Sequence, residues 1–338
     1  VGPVDGEGGT ASGIWTLDQA ADYEKQGLWP KPMLPRQAWG WGFNSVGQLG
    51  LGDTTNRSSP VQIGSLITWS NITSANLHTL LVKTDNTLWA QGEGGDGQLG
   101  TGNTTDVSSP VQVGALTTWA TADMGMFHAL ATKTDGTLWT WGRSNHGQGG
   151  QGNLTSYSSP VQVGALTTWL LANAGTYEVY AVKTDGTLWC FGKNTDGQLG
   201  QSNTTSYSSP VQVGALTTWA TANGGEGGFA AIKTDGTLWV CGDAESGRTG
   251  QGNTTDVSAM TQVGALTNWS KVSYGARFTA ALKTDGTLWT WGYAGQGGLG
   301  HGDLTSLSSP VQVGALTSWT VIPASSALGQ GRIYVKSS

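Results

Sequence analysis

Few residues in this chain of 338 could do acid–base or metal chemistry. Its four histidines are His78, His128, His146 and His301, and the first two occupy the same position of an internal repeat. The chain has no His-x-x-x-His or Glu-x-x-His spacing of the kind that holds zinc. We therefore expect no metal site, and we expect His78 and His128 to be core or channel residues.

Aspartate recurs in the string Lys-Thr-Asp-Gly, and glycine recurs in loops such as residues 47–52. Asp-Gly between two strand-like runs is typical of a hairpin turn, in which both central residues would take positive φ, rather than of an acid–base pair. The glycine loops lead from one strand to another, without the helix N-terminus or P-loop lysine that would bind phosphate. Since no nucleophile with an adjacent base is visible, we expect neither a cofactor nor catalytic residues, and hence no enzyme.

The composition is typical of an all-β protein. Glycine (54 residues) and tryptophan (17) are abundant, whereas only 11% of the residues are charged. The net charge of −6 argues against a nucleic-acid partner, which would require a basic surface. No apolar run approaches the roughly 20 residues of a membrane span. The two cysteines, Cys190 and Cys241, could face each other between adjacent repeats or could be two free buried thiols.

A period of 50 residues organises the chain. The string Lys-Thr-Asp-Gly-Thr-Leu-Trp begins at residues 133, 183, 233 and 283, and a variant of it begins at residue 83. Each repeat contains four strand-like segments, which we call a, b, c and d in chain order. One Trp marks strand a, Pro marks the start of strand b, a second Trp marks strand c, and the repeated Lys ends strand d. Four short strands at this period predict the four-stranded antiparallel blades of a β-propeller.

Each strand type occurs six times, which predicts six blades. The first strand a, residues 38–42, precedes any strand d, and the last strand d, residues 333–336, has no strand a after it. These two unpartnered strands are complementary. We therefore expect them to pair and close the ring, because an unpaired strand edge is a liability. The propeller would span residues 38–338, preceded by an N-terminal extension of residues 1–37.

The repeats differ most at the start of the a–b loop and in the c–d connection, which lie at the same end of an antiparallel blade. We call that end the variable face and the opposite end the constant face; both chain ends map to the latter. Loops on a rigid scaffold commonly bind partners, although unconstrained drift would produce the same pattern. The candidate recognition residues are Phe43, Asn44, Glu93, Asp96, Met126, Phe127, Arg143, Asn145, His146, Tyr177, Glu178, Lys193, Asp196, Glu226, Asp243, Glu245, Arg277, Phe278 and Tyr293.

Two repeated side-chain types are expected to be structural. The paired Trp residues of each repeat would bury large apolar surfaces between the blades, which explains how so glycine-rich a chain can be stable. The Lys that precedes each Thr-Asp-Gly turn would form a solvated ring near the constant face.

The motif order resembles the regulator of chromosome condensation repeat family. Residues 41–52, 141–152 and 191–200 carry its glycine-rich segment, and His78 and His128 precede its strand d. The resemblance covers about residues 38–337 and implies a β-propeller. The best-known members have seven blades, whereas six are counted here. Some members act on a small GTPase or bind chromatin, but we carry none of their functional residues across.

A second resemblance lies in residues 12–30, which are similar to a segment of tailed-phage virion proteins. Thr16 and Gln19 form a capping-box pattern, which predicts a short helix over residues 17–26. The helix would either pack on the propeller rim or attach to another virion protein. The candidate attachment residues are Trp15, Leu17, Tyr23 and Trp29.

These observations predict a non-enzymatic phage virion protein, either a tail fibre or a capsid decoration protein. Residues 1–37 would contact other virion proteins, and the variable face would bind a host-surface glycan or protein. One alternative is a purely structural virion component. The other is a cytoplasmic propeller that binds a protein partner such as a small GTPase.

Overall fold

The computed structural model describes residues 38–64, 68–75, 77–295, 297–321 and 335–336. The regular secondary structure of the described part is β-strand, apart from one 3-10 turn at Glu245–Gly247, and turns and loops join the strands. No helix within it is long and apolar enough to cross a membrane. The predicted helix over residues 17–26, the attachment residues and the domain boundary at residue 37 lie outside the described residues.

The strands follow the predicted order a, b, c, d. The a strands are β1 (Trp39–Gly42), β5 (Leu88–Gly92), β9 (Leu138–Gly142), β13 (Leu188–Gly192), β17 (Leu238–Gly242) and β21 (Leu288–Gly292). The b strands are β2 (Arg57–Gln62), β6 (Val107–Gln112), β10 (Tyr157–Gln162), β14 (Tyr207–Gln212), β18 (Val257–Gln262) and β22 (Leu307–Gln312). The c strands are β3 (Trp69–Ala75), β7 (Trp119–Met124), β11 (Trp169–Ala174), β15 (Trp219–Gly225), β19 (Trp269–Tyr274) and β23 (Trp319–Val321). The d strands are β4 (His78–Lys83), β8 (His128–Lys133), β12 (Glu178–Lys183), β16 (Gly228–Lys233), β20 (Phe278–Lys283) and β24 (Val335–Lys336).

The strands form antiparallel sheets in the order c-d-a-b. Five sheets have four strands each: β3–β6 (blade 1), β7–β10 (blade 2), β11–β14 (blade 3), β15–β18 (blade 4) and β19–β22 (blade 5). Two further sheets have two strands each, β1 with β2 and β23 with β24. Together these half-sheets hold one strand of each type, as a sixth blade requires. The architecture is therefore consistent with a six-bladed propeller.

The c strands lie innermost, where those of neighbouring blades contact one another and line a cavity at the axis. Polar side chains join three of them. The Thr73 hydroxyl donates a hydrogen bond to Asp123 Oδ1 (2.9 Å). The Asn173 side-chain amide (3.2 Å) and the Ala174 backbone N–H (3.0 Å) donate to Asp123 Oδ2. Because buried carboxylates are costly unless hydrogen-bonded, these bonds fix the relative height of three consecutive blades.

The b strands lie outermost and differ from the sequence prediction at their proline. Pro160 was expected at the start of its strand, but β10 begins three residues earlier, at Tyr157. Its pairing with β9 shifts register between Tyr157 and Val161. Proline is tolerated inside this strand because the strand is an edge, where a missing N–H breaks no ladder bond.

The turn between strands d and a is held by its aspartate, as the Asp-Gly signal indicated. The Asp135 carboxylate accepts hydrogen bonds from the backbone N–H and the hydroxyl of Thr137 (3.0 and 2.7 Å). The same hydroxyl accepts a bond from Trp139 Nε1 (2.9 Å). Only Gly136 takes a positive φ (78°), so the expectation of two such residues is wrong. The hydrogen bonds of the Asp135 side chain hold the turn without a positive φ at Asp135 itself.

The repeated lysines are buried, so the prediction of a solvated ring is wrong. Lys133 is only 9% exposed, and its Nζ lies 3.7 Å from the centre of the Trp139 ring. Trp139 in turn packs edge-to-face on the buried Trp119, with 6.0 Å between ring centres. Cation–π attraction and the buried stem explain how a lysine is held there. The same arrangement recurs at Lys83, Lys183, Lys233 and Lys283.

Adjacent blades interlock where strand a of one blade meets the a–b loop of the preceding one. Trp141 Nε1 donates a hydrogen bond to the Gln98 carbonyl (2.8 Å), and Trp291 makes the same bond to the Arg248 carbonyl (2.9 Å). The loop can approach so closely because Gly100 has no side chain. A Cβ there would lie 2.8 Å from Trp141 Nε1, and the residue has a φ of +72°. Trp141 and Trp291 are therefore structural residues, and so are the paired tryptophans such as Trp119 and Trp139, which pack on each other as expected.

Cys190 and Cys241 are both buried and free, which resolves the alternatives left open by the sequence. Burial raises the pKa of the Cys190 thiol to about 12. Both thiols therefore act as small apolar groups of the core.

Replacing Trp141 by Ala should lower the free energy of unfolding by about 3–5 kcal/mol, because it leaves a cavity and an unpaired carbonyl between blades. Urea denaturation followed by tryptophan fluorescence measures this change. Leu154→Ala is the control, since Leu154 is 60% exposed and should cost less than about 1 kcal/mol. Equal costs for the two variants would contradict an interlock at Trp141.

Candidate functional site

The a–b loops and the c–d connections meet at one end of the blades. The backbone N–H of Glu93, the first loop residue after β5, donates to the Leu77 carbonyl before β4 (2.9 Å). Lys193 donates in the same way to Tyr177 (3.1 Å). The positions that vary most between repeats therefore share one face, as the antiparallel geometry predicted. Equivalent bonds join Arg143 to Phe127, Asp243 to Gly227, and Tyr293 to Arg277.

A cleft of about 330 Å³ opens on the variable face, where the loops of blades 3, 4 and 5 meet. Nine predicted recognition residues line it: Tyr177, Glu178, Lys193, Asp196, Glu226, Asp243, Glu245, Arg277 and Tyr293. Four further lining residues belong to the same variable loops but were not candidates: Thr176, Gly227, Ser246 and Ala276. The last lining residue, Arg248, lies outside the positions that were found to vary. The other ten candidates lie outside the cleft: Phe43, Asn44, Glu93, Asp96, Met126, Phe127, Arg143, Asn145, His146 and Phe278.

Asn44 was predicted to be a recognition residue, but it is fully buried. Its side-chain amide donates to the backbone carbonyls of Asp53 and Thr55 (3.0 and 3.1 Å), and its Oδ1 accepts from Leu49 N (2.9 Å). Asn194 is buried in the same way in blade 3. Asn44 therefore shapes the loop from inside, and its assignment to recognition is corrected.

A row of side chains leads from blades 1 and 2 to the cleft. Arg143 forms a two-point ion pair with Asp96, with both N–O distances 2.9 Å. Its guanidinium lies 4.1 Å from the centre of the Phe127 ring. Phe127 stacks on Tyr177 (6.1 Å between ring centres), and His146 contacts the same tyrosine edge-to-face (5.2 Å). These contacts hold Tyr177 at the edge of the cleft. Arg143 is therefore engaged in structural contacts with Asp96 and Phe127.

Glu178 is the buried acid of the cleft and is only 1% exposed. Its carboxylate accepts hydrogen bonds from the Tyr177 backbone N–H (3.0 Å) and from the Gln198 side-chain amide (3.1 Å). Burial raises the pKa of Glu178 to about 7, against the opposing effect of these two bonds. Within the part of the chain that the structure describes, no cationic side chain forms an ion pair with it.

Arg248 forms the wall of the cleft between blades 4 and 5. It stands where four other repeats have Gln, and it is 3% exposed. Its Nε donates to the Asp243 carbonyl (2.9 Å), and its terminal nitrogens contact the Asp243 carboxylate and the Ala276 carbonyl. Sequence reasoning missed this residue. The signal was present, because residues 247–250 read Gly-Arg-Thr-Gly where three other repeats have Gly-Gln-Leu-Gly.

The repeat position of Glu178 is occupied in blades 1 and 2 by His78 and His128. Both are 1% exposed, and neither ring has a hydrogen-bond partner for its nitrogens within the described residues. Burial lowers the pKa of His78 to about 3 and that of His128 to about 4. They are neutral core histidines at neutral pH, as expected. The described residues contain no group of three or more His, Cys, Asp or Glu that could hold a metal ion.

A sequence profile described as the regulator of chromosome condensation (RCC1) repeat matches residues 37–82, 85–132, 135–182, 185–232 and 285–327. A second profile with the same description matches residues 269–297. No curated protein sequence matches the chain at a significant level.

Solved structures with the same fold include human WBSCR16, with a TM-score of 0.76 and 21% identity over 85% of this chain and 78% of that one. Saccharomyces cerevisiae Prp20p has a TM-score of 0.57 and 16% identity over 90% of this chain and 91% of its own, and it was studied for binding to Gsp1p and histones. Yeast RCC1 (Prp20) bound to Kap60 has a TM-score of 0.60 and 16% identity over 91% and 89% of the two chains. At these identities the likeness concerns the fold.

Acid should destabilise the protein through its buried histidines. The unfolded chain takes up protons as pH falls below about 6.5, whereas folded His78 and His128 stay neutral down to about 3 and 4. The contribution of each histidine to the free energy of unfolding should therefore decrease by about 2 kcal/mol at pH 5. Glu178, whose pKa is raised to about 7 in the folded state, acts in the opposite direction over the same pH range.

Urea denaturation at pH 7.5 and pH 5 checks this expectation. Between the two pH values, the free energy of unfolding of the double variant His78→Gln with His128→Gln should decrease by about 4 kcal/mol less than that of the wild type. Leu130→Ala, a core variant without a titratable change, should keep the wild-type difference. An unaltered pH dependence in the double histidine variant would show that the two rings do not control acid stability.

Proposed function

The chain belongs to the regulator of chromosome condensation (RCC1) repeat family, and from this membership we propose that it is a non-enzymatic binding propeller that recognises a partner protein through its variable face. Propellers of this family bind proteins such as small GTPases. Yeast Prp20p, which shares the fold, binds Gsp1p and histones. A protein partner is therefore favoured over a glycan for this chain.

The observation that carries the proposal is the cleft between blades 3, 4 and 5. It is formed where the repeats differ most, whereas the turns of the constant face hardly change along the chain. Tyr177, Arg277 and Tyr293 combine aromatic surface with a cationic group, and such residues dominate the binding energy of protein interfaces. The inter-blade bonds hold these loops in place before a partner arrives, which reduces the entropy lost on binding.

Residence in a phage particle, as a tail fibre or capsid decoration protein, stays a prediction from residues 12–30. On that proposal, residues 1–37 would attach to other virion proteins. Detection of the chain in purified particles would separate a virion component from a cytoplasmic propeller. The binding proposal for the variable face is the same in both cases.

We also propose that β24 pairs with β1 and completes the sixth blade. Trp41 supports this pairing, because it is 50% exposed whereas its equivalents Trp141 and Trp291 are 2% and 0% exposed. A strand beside β1 is what the other blades have and what β1–β2 alone lacks. The register of the proposed pairing between β24 and β1 can be derived from the observed pairing of β23 with β24, in which Trp319 lies opposite Lys336.

The chain between Trp319 and Lys336 is three residues longer than the chain between the equivalent pair of blade 1, Trp69 and Lys83, so Lys336 takes the repeat position of Lys83. The pairing of Val82 with Leu88 then predicts that Val335 lies opposite Ala38 in the closed blade.

A disulfide tests the closure. The double variant Ala38→Cys with Val335→Cys should form a cross-link within one chain, because residues facing each other in an antiparallel pair lie within disulfide range. Non-reducing electrophoresis and mass determination detect the link. Ala38→Cys with the exposed Leu154→Cys is the control and should stay reduced. Links that form only between chains would contradict closure within one molecule.

Loss of the cleft side chains should weaken partner binding. A photoreactive amino acid at Tyr177, compared with one at Thr167 on the constant face, identifies the protein that contacts the cleft. We then expect Tyr177→Ala with Arg277→Ala to weaken affinity for that purified partner by about tenfold or more. Leu77→Ala, at the same repeat position but away from the cleft, should change affinity less than about twofold. Cross-linking only from Thr167, or unchanged affinity, would overturn the proposal.

A further inference from the structure

Glu178 is a buried acid whose only described hydrogen-bond donors are neutral. An ionised carboxylate offers about four acceptor positions, and the Tyr177 backbone and the Gln198 amide occupy two of them. Buried acids are normally compensated by a cation or a metal. Within the described residues Glu178 forms no ion pair and belongs to no metal-binding group, although Lys193 lies near enough to lower its pKa and the carboxylate lines an open cleft. It therefore has unused capacity to accept a charged donor from a ligand.

The rest of the cleft is also more acidic than basic. Asp196 is paired with Lys193 (3.1 Å), and Asp243 is paired with Arg248. The remaining acids, Glu226 and Glu245, are exposed at the rim and form no ion pair with any described residue.

One cation is left to balance these acids. Arg277 is directed over the Tyr293 ring, at 5.2 Å from its centre. The surplus of negative charge favours a cationic ligand and disfavours an anionic one.

Aromatic side chains add a second feature that suits a cation. Tyr177 and Tyr293 both line the cleft, and tyrosine faces attract ammonium and guanidinium groups as well as the apolar stems that carry them. The volume of about 330 Å³ lies at the lower end of the range for small-ligand sites. It suits one extended side chain rather than a folded segment.

We propose that the cleft binds the ammonium or guanidinium group of a Lys or Arg side chain from the partner protein, with Glu178 as its counter-ion. This inference rests on the proposed function, since it assumes that the variable face is the binding surface. Tyr177 and Tyr293 would flank the stem of the bound side chain, and Glu226 and Glu245 would attract it to the rim.

Binding should be coupled to a proton. The charged and titratable groups that face Glu178 are Lys193 and Asp196 from the blade 3 loop, Tyr180 from β12, Cys241 from β17 and His128 from β8 of blade 2. With these neighbours and its burial, Glu178 has a pKa of about 7 and is about half protonated at neutral pH. A bound cation favours the ionised form, so that each binding event near pH 7 should release about half a proton.

The first test uses arginine amide and lysine amide as probes, with citrulline amide and Nε-acetyl-lysine amide as uncharged controls of similar shape. Two-dimensional NMR titration of the whole protein should show the charged probes binding at the cleft at least about tenfold more tightly than the controls. Short peptides with a central Lys or Arg, compared with putrescine, distinguish a side chain of a protein from a free amine. Peptides should bind more tightly than putrescine. Equal binding of charged and uncharged probes, or tighter binding of putrescine, would overturn the assignment.

Variants locate the charge. Glu178→Gln should weaken the affinity of the protein for the charged probes by about tenfold or more. It should also abolish proton release on binding, which calorimetry in buffers of different ionisation enthalpy measures. His78→Gln, at the same buried repeat position in blade 1, is the matched control and should change neither the affinity for the charged probes nor the proton release. Glu226→Gln at the exposed rim cannot disturb the core and should weaken binding a few-fold. If Glu178→Gln binds as the wild type does while Tyr177→Ala with Arg277→Ala still loses the partner, the cation inference is wrong and the binding proposal stands.

Discussion

Contact between neighbouring blades is the constraint on which the rest of this structure depends. A four-stranded sheet cannot bury both its faces alone, so each blade is stable only against the next one. The Trp141 indole bonded to the Gln98 carbonyl, beneath a loop that Gly100 allows to approach, shows how closely that contact is made. Because the contact involves the a–b loops themselves, it also fixes the surface on which the cleft lies.

Because the repeats share one rigid backbone, a different side chain at one repeat position changes the chemistry of that site alone. One position at the start of strand d is His in blades 1 and 2, Glu178 in blade 3, Gly228 in blade 4 and Phe278 in blade 5. The backbone around these residues is nearly the same, so the side chain alone decides whether the site is a neutral core or the wall of a cleft. Arg248 illustrates the same principle, because it replaces a buried Gln and forms an ion pair with Asp243 of its own blade while contacting the Ala276 carbonyl of blade 5.

The period of 50 was sufficient to predict the strand order, the Asp-Gly turns and the common face of the variable loops. These features follow from local patterns that repeat along the chain. The burial of Lys133 against Trp139 and the inward position of Asn44 were mispredicted, because charge and polarity in a sequence do not show what covers a side chain. The cleft itself was missed as a unit, since it depends on the contact of three blades that are 50 and 100 residues apart.

The prolines of the outer strands affect whether molecules of this protein can associate through the edges of their sheets. Each β-propeller blade ends in an outward edge whose free N–H and C=O groups could join the sheet of a second molecule and start a growing fibril. Pro160 and its equivalents remove one of those N–H groups, and the bulge beside them bends the edge. Blade 4 has Met260 at this position instead, and there Gln201 bridges to Ala259 from the blade's neighbour in sequence. The fold thus protects against lateral polymerisation in two ways, by deleting a donor or by occupying the edge.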